Sequence, residues 1–156
     1  MTLTGARRGP GALVIGCGNA DRGDDAAGLL VARRLRELGV EAQEQSGDAA
    51  ALLDIFESVP AGQRIIVVDA MVTGSPPGSI LFWDAGAAKL SRGTFRCSTH
   101  ALGVVVAAEL ARALGKLPPQ LGIYGIEGAG FEAGAPPSPE VLRAVDELAH
   151  RIAREV

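Results

Sequence analysis

Residues 11–28 read Gly-Ala-Leu-Val-Ile-Gly-Cys-Gly-Asn-Ala-Asp-Arg-Gly-Asp-Asp-Ala-Ala-Gly, and this stretch sets the fold. Gly11 to Cys17 is a continuous apolar run, as a strand buried on both faces reads. A glycine-bearing turn follows. From Asp25 to Leu38, residues Ala27, Leu30, Val31, Leu35 and Leu38 then recur at helical spacing, and Gly39 supplies the stop. A buried strand, a tight turn and an amphipathic helix are how a parallel α/β domain begins.

The alternation continues outward from there. Val40 to Gln45 is a second strand, polar enough to lie at an edge. Ser46 or Asp48 caps a helix to Ser58, with Leu52, Leu53 and Phe56 facing inward. Arg64 to Asp69 (RIIVVD) is a buried strand, and Gly74 to Gly78 (GSPPG) turns the chain into Ser79 to Asp84 (SILFWD). His100 to Leu114 forms a helix closed by Gly115 and halted by Pro118-Pro119; Leu121 to Ile126 (LGIYGI) is a fifth strand. Ser138 caps, and Pro139 opens, a last helix to Val156. This pattern predicts one α/β domain with a mostly parallel sheet, with residues 1–10 as a flexible extension.

Composition narrows the function classes. The length of 156 residues fits one domain, and 47% hydrophobic with 21% charged residues excludes a disordered chain. A net charge of −3 offers no basic surface for nucleic acid. The 21 glycines and 9 prolines, against 4% aromatics, imply tight loops around a small-residue core. Cys17 and Cys97 make no disulfide scaffold, no run of about 18 uncharged apolar residues marks a membrane span, and Met1 to Pro10 lacks signal-peptide form. The expectation is a cytoplasmic monomer with no membrane or nucleic-acid partner.

Ligands of open α/β sheets sit outside the carboxyl ends of the strands. Three polar clusters fall there: the turn carrying Asp21, Asp24 and Asp25; Asp69, after four apolar residues; and Cys97-Ser98-Thr99-His100. A dinucleotide fingerprint fails, because Asp21 stands where the third small residue belongs and three aspartates face the place of a pyrophosphate. Singly, Asp24-Asp25 reads as a helix cap, Asp69 as a strand end meeting water, and His100 as a surface histidine. At one sheet edge together, two carboxylates and an imidazole become a candidate ligand set for a divalent transition metal. Cys97 and His100 also admit a thiol–imidazole hydrolase, or Cys97 as a soft ligand, although the simpler reading of both cysteines is small, buried and inert. His150 lies with Arg143, Asp146 and Arg154 on the wet side of the last helix, as Arg33, Arg34 and Arg36 do on theirs.

With these residues assembled, the chain resembles the hydrogenase maturation proteases, which trim the carboxy-terminal extension from the large subunit of nickel–iron hydrogenases. The likeness runs from about Ala12 to the end. It rests on VIGCGNADRGDDAAG (Val14 to Gly28), IIVVDA (Ile65 to Ala70), PPGSI (Pro76 to Ile80), STHALG (Ser98 to Gly103) and IYGIEG (Ile123 to Gly128). The resemblance implies a three-layer α/β sandwich with a mixed five-stranded sheet between helices. It also implies a metal-dependent endopeptidase with Asp25, Asp69 and His100 contacting metal and Asp24 as an orienting residue or base. The nickel arrives in the precursor, the partner is that precursor, and no permanently bound cofactor is expected. Two departures stand out. The family often places an aspartate where this chain reads Gln45-Ser46-Gly47-Asp48, so its role would be vacant or moved to Glu44 or Asp48. Some relatives carry Glu at the position of Asp25. The rival readings are a non-catalytic checkpoint for the metal centre, the Cys97/His100 thiol hydrolase and a small-molecule amidohydrolase with a retained metal. Precursor recognition is expected in the loops Met71 to Gly78, Gly93 to Thr99 and Glu127 to Pro137.

Overall fold

In the computed structural model, which describes residues 11–87 and 102–156, the opening stretch forms strand β1 (Leu13–Cys17), a short 3-10 turn (Gly23–Ala26) and helix α1 (Ala27–Glu37). The helix thus starts two residues later than its periodicity predicts. Asp24 and Asp25 belong to the tighter turn, where both are buried, and the Asp25 carbonyl accepts from the Asn19 amide at 3.2 Å. Close approach of helix and sheet is built on glycine. A Cβ on Gly28 would lie 2.2 Å from the Cys17 carbonyl oxygen and 2.3 Å from that of Val68, so only glycine lets α1 lie flush against the sheet.

The chain continues through β2 (Gln43–Gln45), α2 (Ala49–Ser58), β3 (Ile65–Met71), β4 (Ile80–Asp84), α3 (Leu102–Ala113), β5 (Leu121–Glu127) and α4 (Pro139–Glu155). The five strands form one sheet in the order β2-β1-β3-β5-β4. Four run parallel, and β4 pairs antiparallel with β5, so the sheet is mixed. Helices α1 and α4 cover one face around Val14, Ile66 and Val68; α2 and α3 cover the other around Ile15, Ile65 and Val67. This is the three-layer sandwich.

Strand ends differ from the sequence reading, notably at β2 and β3. The edge strand β2 keeps only three of its six expected residues, because it has a sheet neighbour on one side alone. The central strand β3 runs two residues further, since Ala70 and Met71 pair with Ile126 and Glu127. Every residue of β3 is buried. Burying a Val or Ile side chain stabilises by about 1.5–3 kcal/mol, so the strand is held strongly and its one charged member, Asp69, requires a reason. Asp48 is the N-cap of α2, its Oδ2 accepting from the Ala51 amide at 3.0 Å. The first residues expected in α3, and the residue 1–10 extension, lie outside the described residues. Among the described residues, no helix is long and apolar enough to cross a membrane.

Candidate active site

Asp69 sits two residues before the carboxyl end of β3. Strand alternation turns it toward the α2–α3 face, the side taken by Ile65, Val67 and Met71. Cys17 ends β1 on that same face. Among the described residues, the Asp69 side chain has one hydrogen bond, its Oδ1 accepting from the Ala70 amide at 2.8 Å. Burial pushes its carboxyl well above the usual aspartate value, the Ala70 amide opposes this, and the nearby charge of Asp25 pushes it further up. Burial, and then the charge of Asp69, also drive the Cys17 thiol far upward, which leaves it protonated and unreactive.

Loop and helix ends close around this pair. Gly47, at φ +90°, passes so near that a Cβ on it would stand 3.7 Å from the Cys17 Cβ and 3.8 Å from Asp69 Oδ2. The start of α3 presses on the same loop: a Cβ on Gly103 would lie 1.8 Å from the Gly47 carbonyl oxygen. Asp25, itself buried, lines an open cleft at this edge with Asn19, Asp21, Gln45, Ser46 and Gly47. The structure therefore brings Asp25 and Asp69 together. His100, the third expected ligand, and Cys97 lie outside the described residues. Among the described residues, no group of three or more His, Cys, Asp and Glu side chains is placed to hold a metal ion.

Asp24 faces elsewhere. Its Oδ2 accepts from the amides of Ala129 (2.8 Å) and Gly130 (3.1 Å), its Oδ1 from the amide of Ser138 (2.6 Å), and both from the Ser138 hydroxyl (3.0 Å each). Burial pushes the Asp24 carboxyl up, but these donors together outweigh it and hold it below the ordinary aspartate value. Ser138 is the N-cap of α4, yet its hydroxyl serves Asp24 rather than the helix amides. Near the cleft, Glu44 is held by Arg33 and Arg36, whose hydrogen bonds keep its carboxyl below the usual value. Glu44 and Asp48, the two candidates for the displaced acidic role, thus both have structural partners.

The model of the hydrogenase maturation proteases matches residues 47–155. The chain belongs to the hydrogenase maturation protease family. Solved structures share the fold: the NiFe hydrogenase maturation protease HybD from Thermococcus kodakarensis is 24% identical, with 93% of this chain and 97% of that one covered and a TM-score of 0.71. The hydrogenase maturating endopeptidase HybD from E. coli is 22% identical over 91% and 89%, again at 0.71. The maturation protease HycI from Thermococcus kodakarensis is 24% identical over 93% and 91%, at 0.63. No curated protein sequence gives a significant match. The family match begins at Gly47, so the turn bearing Asp24 and Asp25 precedes it.

Within this family member, one buried carboxylate escaped the sequence reading. Glu127 ends β5 and accepts from the Thr73 amide (2.9 Å to each oxygen), the Thr73 hydroxyl (2.6 Å) and the Gly74 amide (3.3 Å). The signal that marks Asp69, an acidic residue directly after an apolar strand, is present for Glu127 as well. His150 is half-buried on α4 and contacts the Asp146 carbonyl at 2.8 Å, on the wet side where its spacing put it.

Proposed function

We propose that the protein is an endopeptidase of the cytoplasm that removes the C-terminal extension from the nickel-loaded large-subunit precursor of a nickel–iron hydrogenase, reading the precursor's nickel through Asp25, Asp69 and His100. One observation carries this reading: Asp25 and Asp69 are 7% and 1% exposed at the same sheet edge, and the charge of Asp25 pushes the Asp69 carboxyl up. Two buried like charges are costly to keep, and a cation between them removes that cost. The family and the relatives named as maturation proteases support the protease part of this reading. Nickel is cargo here. Carboxylate oxygens with one imidazole can complete its coordination without displacing the thiolates that already bind it, and the metal can polarise water or the scissile carbonyl. Asp24 orients the turn that presents Asp25.

The test is to incubate the protein with nickel-loaded and nickel-free precursor and weigh the products. Only the nickel-loaded precursor should become shorter; unchanged masses in both would remove the protease reading in favour of a checkpoint. Asp25→Asn, Asp69→Asn and His100→Ala should each slow processing by about 100-fold or more, because even outer partners of metal ligands are worth ten- to a hundredfold. Full processing by all three variants refutes the nickel assignment.

A further inference from the structure

Glu127 takes no part in the nickel reading, yet it is 2% exposed and holds a loop at both ends. Its carboxylate binds Thr73 and Gly74, just past β3. Its main chain binds the other end: its carbonyl accepts from the Gly78 amide at 2.8 Å, and its N–H donates to the Ser79 carbonyl at 2.9 Å. Between these anchors Gly74, Pro76 and Pro77 are exposed. Two consecutive prolines already restrict the loop, so the clamp completes a surface that is ordered before anything binds to it.

A second loop beside it is built the same way. Segment 128–138 contains Pro136-Pro137, is held by the Asp24 carboxylate and leads into α4. The two loops' anchors meet, because a Cβ on Gly78 would lie 2.7 Å from the Glu140 carbonyl oxygen in the first turn of α4. Together they form one wall at the carboxyl edge, beside the strand that carries Asp69. An apolar residue would seal the joint below the loop with less desolvation cost than a carboxylate; what the carboxylate adds is a fixed loop shape. A pre-ordered surface binds a large partner with less entropy lost on association.

We propose that Glu127 is a positioning residue for precursor docking: it fixes the 72–79 loop as a rigid wall against which the folded body of the precursor seats. This rests on the reading that the protein receives that precursor. The described partners of the Glu127 carboxylate are Thr73 and Gly74 of this loop rather than Asp25 or Asp69, so its loss should weaken docking and spare the chemical step.

Thr73→Val, which deletes the hydroxyl donor at constant shape, and Glu127→Gln are the variants to compare. Binding of nickel-loaded precursor is titrated, and single-turnover cleavage is followed at saturating precursor. Each variant should raise Kd about tenfold, the worth of one charge-assisted hydrogen bond, with the saturated cleavage rate within about twofold of wild type. Amide exchange at Thr73 and Gly74 should quicken in the free protein. Should Glu127→Gln fail to fold, Thr73→Val decides alone. An unchanged Kd overturns the proposal, as does a fallen cleavage rate at unchanged Kd. Wild type that binds no precursor overturns both this proposal and the protease reading; wild type that binds without cutting removes the protease reading only, and the Kd comparison still decides the role of Glu127.

Discussion

Asp24 and Asp69 are buried to the same degree, each 1% exposed, on the carboxyl side of neighbouring strands, yet their surroundings drive them in opposite directions. Asp24 receives three amides and a hydroxyl, and its carboxyl is held down. Among the described residues Asp69 receives one amide, and burial, with the charge of Asp25 beside it, holds its carboxyl up. A buried carboxylate saturated with donors is a finished piece of structure. One that receives a single described donor and stands beside a like charge is left under electrostatic stress, which under the proposed function is where the substrate's metal would sit. Burial alone does not separate the two cases; the donors among the described residues do.

The sharpest way to break the comparison is to neutralise each carboxylate in turn. Asp69→Asn carries the largest effect: processing falls about 100-fold or more while the denaturation midpoint stays or rises, because a neutral amide escapes the desolvation and repulsion borne by the carboxylate. Loss of stability with activity retained would reverse the roles assigned. Next is Asp24→Ala, which strands the amides of Ala129, Gly130 and Ser138. It should cost about 3 kcal/mol of unfolding free energy in denaturant titration, since an orphaned buried polar group costs about 1–3 kcal/mol. The pH dependence separates the pair by sign. Asp24 has a depressed folded value, so its contribution is present above the ordinary value of 3.8 and is lost as pH falls through the folded one. Asp69 is raised, so stability is lost as pH climbs from 3.8 through its folded value. Stability curves against pH should therefore flatten on the acid limb in Asp24→Ala and on the rising side in Asp69→Asn; the opposite assignment of limbs would dissolve the contrast.

How much of this was legible in the sequence follows from how local each cause is. Asp69 was legible because four buried apolar residues precede it, and a charge at the end of such a strand stands out. The α/β domain was legible because strand and helix periods alternate cleanly, and the three layers came with the family resemblance. Asp24 and Asp25 were separated only by the family resemblance, since they are adjacent and alike, and a 3-10 turn rather than an α-helix decides which way each faces. Glu127 carries the same strand-end signal as Asp69, but its role was not legible because its partners, Thr73 and Gly74, lie more than fifty residues away. The ends of β2 and β3 moved for the same reason: pairing with other strands, not propensity, sets them. The readings placed on His100 and Cys97 fall outside the described residues.

The smallest expected effect tests whether Asp69 acts without its sulfur neighbour. Cys17 shares its face with Asp69, and a Gly47 Cβ would contact both, so a thiol role in the site is a fair challenge. The energetics argue otherwise. Burial first, and the carboxylate second, disfavour a thiolate there, and only the thiolate attacks carbonyls or binds a soft metal. Cys17→Ala should therefore leave processing within about twofold and cost about 1 kcal/mol in stability, the ordinary effect of a small core truncation. Native protein should also resist alkylation at Cys17 until it is unfolded. If Cys17→Ala instead matched Asp69→Asn in lost activity at unchanged stability, the unfilled side of the comparison would be a carboxylate–thiol pair. The softer ligand would then hold the precursor's nickel directly, in competition with the thiolates that deliver it.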